Sequence, residues 1–199
     1  MRLICIATAA ALALSIGAQA AEKKHPSPAK TWTQEPSSFL GLGFDGSSVL
    51  SLPRCTPGVI GFQQKQLCRE DAYAGKYYTI EGKPSIGLRY NYQLAATVQG
   101  GVVESFMMSG NTQDFETVCR LFTEKYGAPT SRLTPSVKTK AGASFTNDTL
   151  IWSGTRVMIT LERFSDDINT FGAAILNRAA VEASAKASEE KVRSNASKL

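Results

Sequence analysis

Side chains able to do chemistry are few in this chain, and they are scattered. The only histidine, His25, stands in the proline-bearing stretch "AEKKHPSPAKTWTQEPS". Nucleophilic catalysis of the Ser-His-Asp or Cys-His type needs an imidazole base beside the nucleophile. A histidine in sequence that predicts an extended, solvated segment does not supply one, and histidine-rich zinc sites are excluded with it. Carboxylates remain. Asp45, Asp71, Asp148 and the neighbours Asp166 and Asp167 are the acids a carboxylate-dependent hydrolase would draw on, with two of them a few ångströms apart. All stand in turn-like sequence, where Asp is expected to bond nearby backbone. Asp166 and Asp167 also offer oxygens to calcium, but no calcium-loop pattern surrounds them. The expectation is a chain with no catalytic residues, no cofactor and no metal site, hence not an enzyme.

Cysteines are the other reactive group. The chain holds 4, at Cys5, Cys55, Cys68 and Cys119. The first lies inside "MRLICIATAAALALSIGAQA", which has one positive charge at Arg2, a short apolar run and a small-x-small ending at Ala18-Gln19-Ala20. That layout predicts a secretory signal peptide over residues 1–20, cleaved after Ala20. Cys5 sits near the start of the apolar run, where a lipid-attachment cysteine would close it. No later stretch is apolar for the ~20 residues a membrane-spanning helix needs. A periplasmic or secreted location follows as the expectation, and with it an oxidising compartment. Cys55 and Cys68 both lie in irregular, proline- and glycine-bearing sequence and are the natural disulfide. Cys119 falls on the apolar stripe of a helix, where a free thiol behaves as a small apolar side chain, and is expected to be buried.

Charge adds one exclusion. The formal net charge is +5, or +4 once Arg2 leaves with the signal peptide (5 − 1). Nucleic-acid binders gather Lys and Arg on one patch or stripe, whereas here they are dispersed, so no nucleic-acid partner is indicated.

Positioning elements can be read in order. Residues 21–37 form a flexible linker, 38–178 a single domain and 179–199 a helical tail. "FLGLGF" suits a strand, followed by an Asp45-Gly46 turn and a short helix capped by Ser47 or Ser48. Residues 56–85 read as irregular. Leu88 to Val98 alternates with period two, which predicts a half-buried strand with Tyr90 and Tyr92 in the core. Gly100-Gly101 turns the chain, and Val102 to Ser109 returns. Phe115, Val118, Cys119, Phe122 and Tyr126 recur at helical spacing; Asn111 or Thr112 opens that helix, and Gly127 with Pro129 closes it. Thr149–Ser153, Arg156–Phe164 and Phe171–Asn177 read as a three-stranded meander. Hairpin-linked strands with segregated helices give the α+β class, with a mainly antiparallel sheet, helices on one face and a loose C-terminal helix.

The stretch "GGVVESFMMSGNTQDFETVCRLFTEKYGAPT", followed by "LIWSGTRVMITL", resembles small exported proteins of Gram-negative bacteria. In these a strand leads into a helix ending Lys-Tyr-Gly-x-Pro and then a Trp-bearing hairpin. More distantly it is similar to the outer-membrane assembly lipoprotein and to β-lactamase-inhibitor-like modules. The resemblance implies a periplasmic α+β module and carries over no catalytic residues. The expected function is therefore an exported, non-catalytic module that binds an envelope protein or a small ligand. A secreted enzyme inhibitor is the alternative, and a carboxylate-dependent hydrolase comes third. Strict alternation from the Gly100-Gly101 turn puts Phe106, Met108, Met158 and Phe164 together on the face opposite the core. Such a set is too apolar to stay solvated, which makes it the predicted partner face, covered in part by the C-terminal helix.

Overall fold

The computed structural model describes residues 32–73, 75–138 and 142–198. The predicted signal peptide, His25 and all of the predicted linker before Trp32 lie outside the described residues. Twelve strands and three α-helices follow in order. The chain opens with β1 (Ser38–Phe39), β2 (Leu42–Gly43) and the one-turn α1 (Ser47–Leu50). Next come β3 (Cys68–Tyr73), β4 (Tyr77–Glu81), β5 (Gln93–Gln99) and β6 (Val102–Asn111). Then α2 (Phe115–Tyr126) precedes β7 (Ser131–Leu133), β8 (Ser136–Lys138), β9 (Ser144–Thr146), β10 (Thr149–Ser153), β11 (Val157–Glu162), β12 (Thr170–Asn177) and α3 (Arg178–Ala196).

Eight strands make one sheet in the order β3-β4-β5-β6-β12-β11-β10-β7. Every neighbouring pair is antiparallel. The α+β class and the mainly antiparallel sheet are as the sequence predicts, with the β5–β6 hairpin and the β10–β11–β12 meander at its centre. Three expectations change. "FLGLGF" is not one strand: Leu40 (φ 49°) and Gly41 (φ 86°) both take positive φ, as a two-residue hairpin turn requires, and fold β1 back on β2. The supposedly irregular stretch 56–85 contains β3 and β4. β3, "CREDAY", carries too much charge for its pattern to show, because it is an edge strand and needs no buried face. The strand predicted from Leu88 starts only at Gln93.

One face of the sheet holds the core. Phe115, Val118, Phe122 and Tyr126 of α2, Val49 of α1 and Phe39 pack there against Phe106, Trp152, Ile159 and Ile175. The α2 helix forms because its apolar residues fall on one stripe. Asn111 accepts from the Gln113 amide as it opens, and Gly127 at φ 77° closes it. On the other face, α3 lies against β6 and β12, and none of its 19 residues is buried.

Residues Trp32 to Ser37, assigned to the linker by composition, are instead strapped to the domain. Trp32 is buried and donates its indole N–H to the Tyr126 carbonyl at 2.8 Å. The Glu35 carboxylate accepts from the backbone amides of Thr155, Arg156 and Val157 at 2.8 to 2.9 Å, and from the Thr155 hydroxyl at 3.0 Å. Proline and polar residues suggested disorder because composition does not reveal which single side chains find partners.

Burial alone would push Glu35 up, but these hydrogen bonds outweigh it and hold the carboxyl down to about 2, against 4.5 for a free glutamate. A depressed folded value means the ionised clamp stabilises fully above 4.5, and that stabilisation is lost as pH falls through about 2. Glu35→Ala should therefore cost about 2 kcal/mol near neutral pH. In urea titrations run down the pH scale, the gap between wild type and variant should close in that acid window. A gap that is absent at neutral pH, or that persists undiminished in acid, would show that the clamp contributes nothing.

Candidate functional site

Which side chains are free to meet a partner is settled by one irregularity in the β5–β6 hairpin. Val98 pairs with Val103 and Thr97 with Ser105, so Glu104 is an extra residue, a β-bulge. Beyond a bulge every side chain changes face. Val103 before it and Phe106 and Met108 after it therefore all point into the core, at 0, 0 and 1% exposure. Strict alternation had placed Phe106 and Met108 on the opposite face; the structure corrects this. The predicted partner face is divided among three places. Phe106 and Met108 are core. Met158 lies beneath α3, beside Leu176 and Val181. Phe164 packs edge-on against Phe145 of β9 at 5.9 Å. The face opposite the core instead shows Met107, Ser109, Gly172 and Ala174, with Ala95 beside Met107 but buried.

The cysteines fall as expected in one respect. Cys55 and Cys68 form a disulfide that closes a separation of 13 residues. It ties residues 53–55 to the outer edge of β3, where Arg69 donates to the Pro53 carbonyl and Cys55 to the Arg69 carbonyl. Cys119 is free but only half-buried on the shoulder of α2, a correction to the fully buried thiol. The helical stripe is wider than the surface it packs on, so its edge position is left partly open. Burial, then the Glu116 carboxylate, pushes its thiol up to about 11.

Most candidate acids prove to be structural. Asp45 accepts from the Ser48 amide at 3.0 Å and from the Ser47 hydroxyl, so it caps α1 in place of either serine. Asp71 pairs with Arg54 at 2.5 Å and with Arg69. Asp148 lies between Arg132 at 2.9 Å and Arg163 at 3.1 Å. Arg163 also reaches Glu116 at 2.5 Å and stacks over the Phe115 ring. Burial opposes the charge on Asp148, yet the two guanidinium groups keep its carboxyl below the ordinary range. Among the described residues no three His, Cys, Asp or Glu side chains are placed to hold a metal ion, and no helix is long and apolar enough to cross a membrane.

Asp166 and Asp167 are the exception. They form no ion pair among the described residues; Asp167 accepts only the Asn169 amide at 2.8 Å. They lie in the β11–β12 loop and border a cleft of about 560 Å³ on the open face, also lined by Tyr90, Asn91, Gln93, Ser109, Asn111, Asn169 and Thr170. Depressions of similar size, about 530 and 580 Å³, lie beside Val137 and Phe164 and beside Arg54 and Asp71, so its lining rather than its volume sets this one apart. The side-chain amides of Asn91, Gln93 and Asn169 have no protein partner among the described residues. Gly110 lines the floor because a Cβ there would stand 2.7 Å from the buried Phe171 ring. A second, smaller depression of about 150 Å³ adjoins it at Tyr90 and Asn91, walled by Phe62, Lys83, Pro84, Ile86, Leu88 and Tyr92. Phe62 and Tyr90 are 63 and 44% exposed. Tyr90 had been assigned to the core with Tyr92; only Tyr92 is there.

The reason is Asp114. Its buried carboxylate takes the backbone amides of Arg89 at 3.0 Å and Tyr90 at 2.9 Å. This draws residues 88–92 off the strand path towards the start of α2 and turns the Tyr90 ring outward. Gln113 sits 3.4 Å from the Tyr90 hydroxyl. Nothing in the local sequence marks this role of Asp114, because an acid at a helix start is favoured by the helix dipole whatever else it binds. The cleft had a legible signal: two polar clusters, "SGNTQD" and "SDDIN", each at the end of a strand.

Comparison with protein-family models, curated proteins and solved structures returned no match to this chain.

Two measurements check these placements. Asp114→Ala leaves two amides without their acceptor and should cost about 2 kcal/mol. It should also speed hydrogen exchange at Arg89 and Tyr90 while leaving β10–β12 protected; unchanged exchange there would remove the clamp. Cys119 in the native protein at pH 8 should alkylate at least about tenfold more slowly than in urea, and equal rates would contradict a thiol half-buried against the core.

Proposed function

We propose that this chain is an exported, non-catalytic binding module that takes a small polar ligand, or a protruding polar group of a larger partner, into the cleft between the β11–β12 loop and the ends of β5 and β6. The observation that carries this reading is the contrast in how polar side chains are used. Elsewhere the candidate acids are held by guanidinium groups, caps or backbone amides. At the cleft, the side-chain amides of Asn91, Gln93 and Asn169 and the Asp166 carboxylate converge with no protein partner among the described residues, and the Asp167 carboxylate has only the Asn169 amide. A few convergent polar groups around a concavity of ligand size are what a binding site needs. No nucleophile stands beside a base there, which favours binding over turnover. Export is supported by the Cys55–Cys68 disulfide, which suits an oxidising compartment.

The reading is tested by thermal shift of the oxidised protein against a panel of saccharides, nucleotides, amino acids and short peptides. At least one class should raise the midpoint, and Asn111→Ala with Asn169→Ala should abolish that rise. A panel with no response, or a ligand recovered chemically altered, overturns the proposal.

A further inference from the structure

We infer that the cleft is built for a short amino-bearing saccharide, a chain of sugar rings carrying hydroxyls and at least one free amine. This rests on the proposed binding function and specifies its ligand. Three properties of the lining point the same way. The first is the preponderance of carboxamides: Asn91, Gln93, Asn111 and Asn169 border one concavity. A carboxamide presents a donor and an acceptor side by side. Adjacent sugar hydroxyls present the complementary pair, whereas an extended peptide would ask for an unpaired strand edge. The strand at the centre of the cleft floor offers none, since Ser109 of β6 is paired with Gln93 of β5 on one side and with Gly172 of β12 on the other.

The second property is the rim. Tyr90 is held by the Asp114 clamp with its ring exposed, and it is shared between the polar cleft and the neighbouring depression, where Phe62 is also exposed. A sugar ring has one apolar face of C–H groups and an equatorial edge of hydroxyls. It can lie against an aromatic ring and still reach amides beside it; burying such faces is favourable by the same area rule as any apolar contact. A nucleotide would seek cations for its phosphates. Of the cations of this region, Lys83 is already paired with Glu81 at 2.6 Å, and Arg89 donates to the Gln113 side chain at 3.2 Å.

The third is charge. The chain as a whole is basic, at +5, yet the cleft wall carries Asp166 and Asp167 with no ion pair among the described residues; Lys138 lines the adjoining depression on their other side. An ammonium group on the ligand completes them.

The test uses the oxidised protein and three probes: tetraglucosamine, its fully N-acetylated counterpart, and trilysine. Titration calorimetry at low salt and slightly acid pH reads affinity. Tetraglucosamine should bind. Asp166→Asn with Asp167→Asn should weaken it by about tenfold or more, as should Tyr90→Ala, while Glu190→Gln on the exposed tail leaves it unchanged. The double variant keeps the acceptor oxygen that receives the Asn169 amide, so loss of folding is not its expected effect, and its urea midpoint should match wild type. The N-acetylated probe should bind about tenfold more weakly than the amine. Binding of trilysine as tight as tetraglucosamine, with the same variant dependence, would make this a cationic peptide site and overturn the inference while sparing the binding function. So would failure of both saccharides alongside an Asn111-dependent response to another class. Affinity indifferent to Tyr90 and to the two aspartates also overturns it, and silence from every class removes the inference and the function together.

Discussion

A single unpaired residue, Glu104, decides what this molecule shows to its surroundings. Because it is extra, the side chains of β6 exchange faces partway along the strand. Phe106 and Met108 enter the core, where each contributes about 2 kcal/mol of burial. Ser105, Met107 and Ser109 take the other face, where Met107 is exposed and Ser105 is buried. Without the bulge the sheet would carry an apolar patch on its open side and small polar residues against α2. With it, α2 has aromatic partners, and the open face becomes a shallow floor of small side chains on which a polar cleft can form. The predicted partner face and the observed cleft are thus two outcomes of one register.

Charge is used in a similarly committed way. Asp114 bends the approach to β5, Glu35 straps the incoming chain to the β10–β11 turn, and Asp148 with Arg163 ties the start of α2 to the start of β10 and the segment after β11. In each case a carboxylate meets donors from a distant part of the sequence. These roles shape the backbone and occupy Asp148, one of the candidate acids for hydrolysis. Where donors run out, at the β11–β12 loop, carboxylates are left facing solvent.

Much of the fold was legible because local rules and tertiary structure agree there. The α2 stripe with its glycine stop, the Gly100-Gly101 turn and the period-two strands of the meander needed only sequence spacing. The Cys55–Cys68 disulfide was legible by elimination once the helix claimed Cys119. Features set by a single long-range partner were not. Trp32 and Glu35 looked like linker because their partners, Tyr126 and Thr155 to Val157, lie about a hundred residues away. Tyr90 obeyed the alternation of β5 on paper, and only the Asp114 clamp turns it outward. β3 hid because an edge strand full of charge has no alternation to read. The cleft was the least legible of all, since it is made of ordinary turn residues whose significance lies in meeting each other.

The β10–β11 turn, finally, acts as a common hitching point. Glu35 is fastened to its amides, and the first residue of α3, Arg178, donates to the Arg156 carbonyl at 2.9 Å and reaches Ser153 at 2.6 Å. The described chain therefore enters and leaves the domain at one corner. The Asp166–Asp167 loop lies at the other end of β11, six residues or roughly 20 Å away at the rise of an extended strand. Any attachment made through either flank, whether a fused domain, an immobilising tag or a surface, would hold the domain by its handle and leave the cleft pointing outward. Joining the two flanks and opening the chain elsewhere would likewise give a circular permutant with the same mouth.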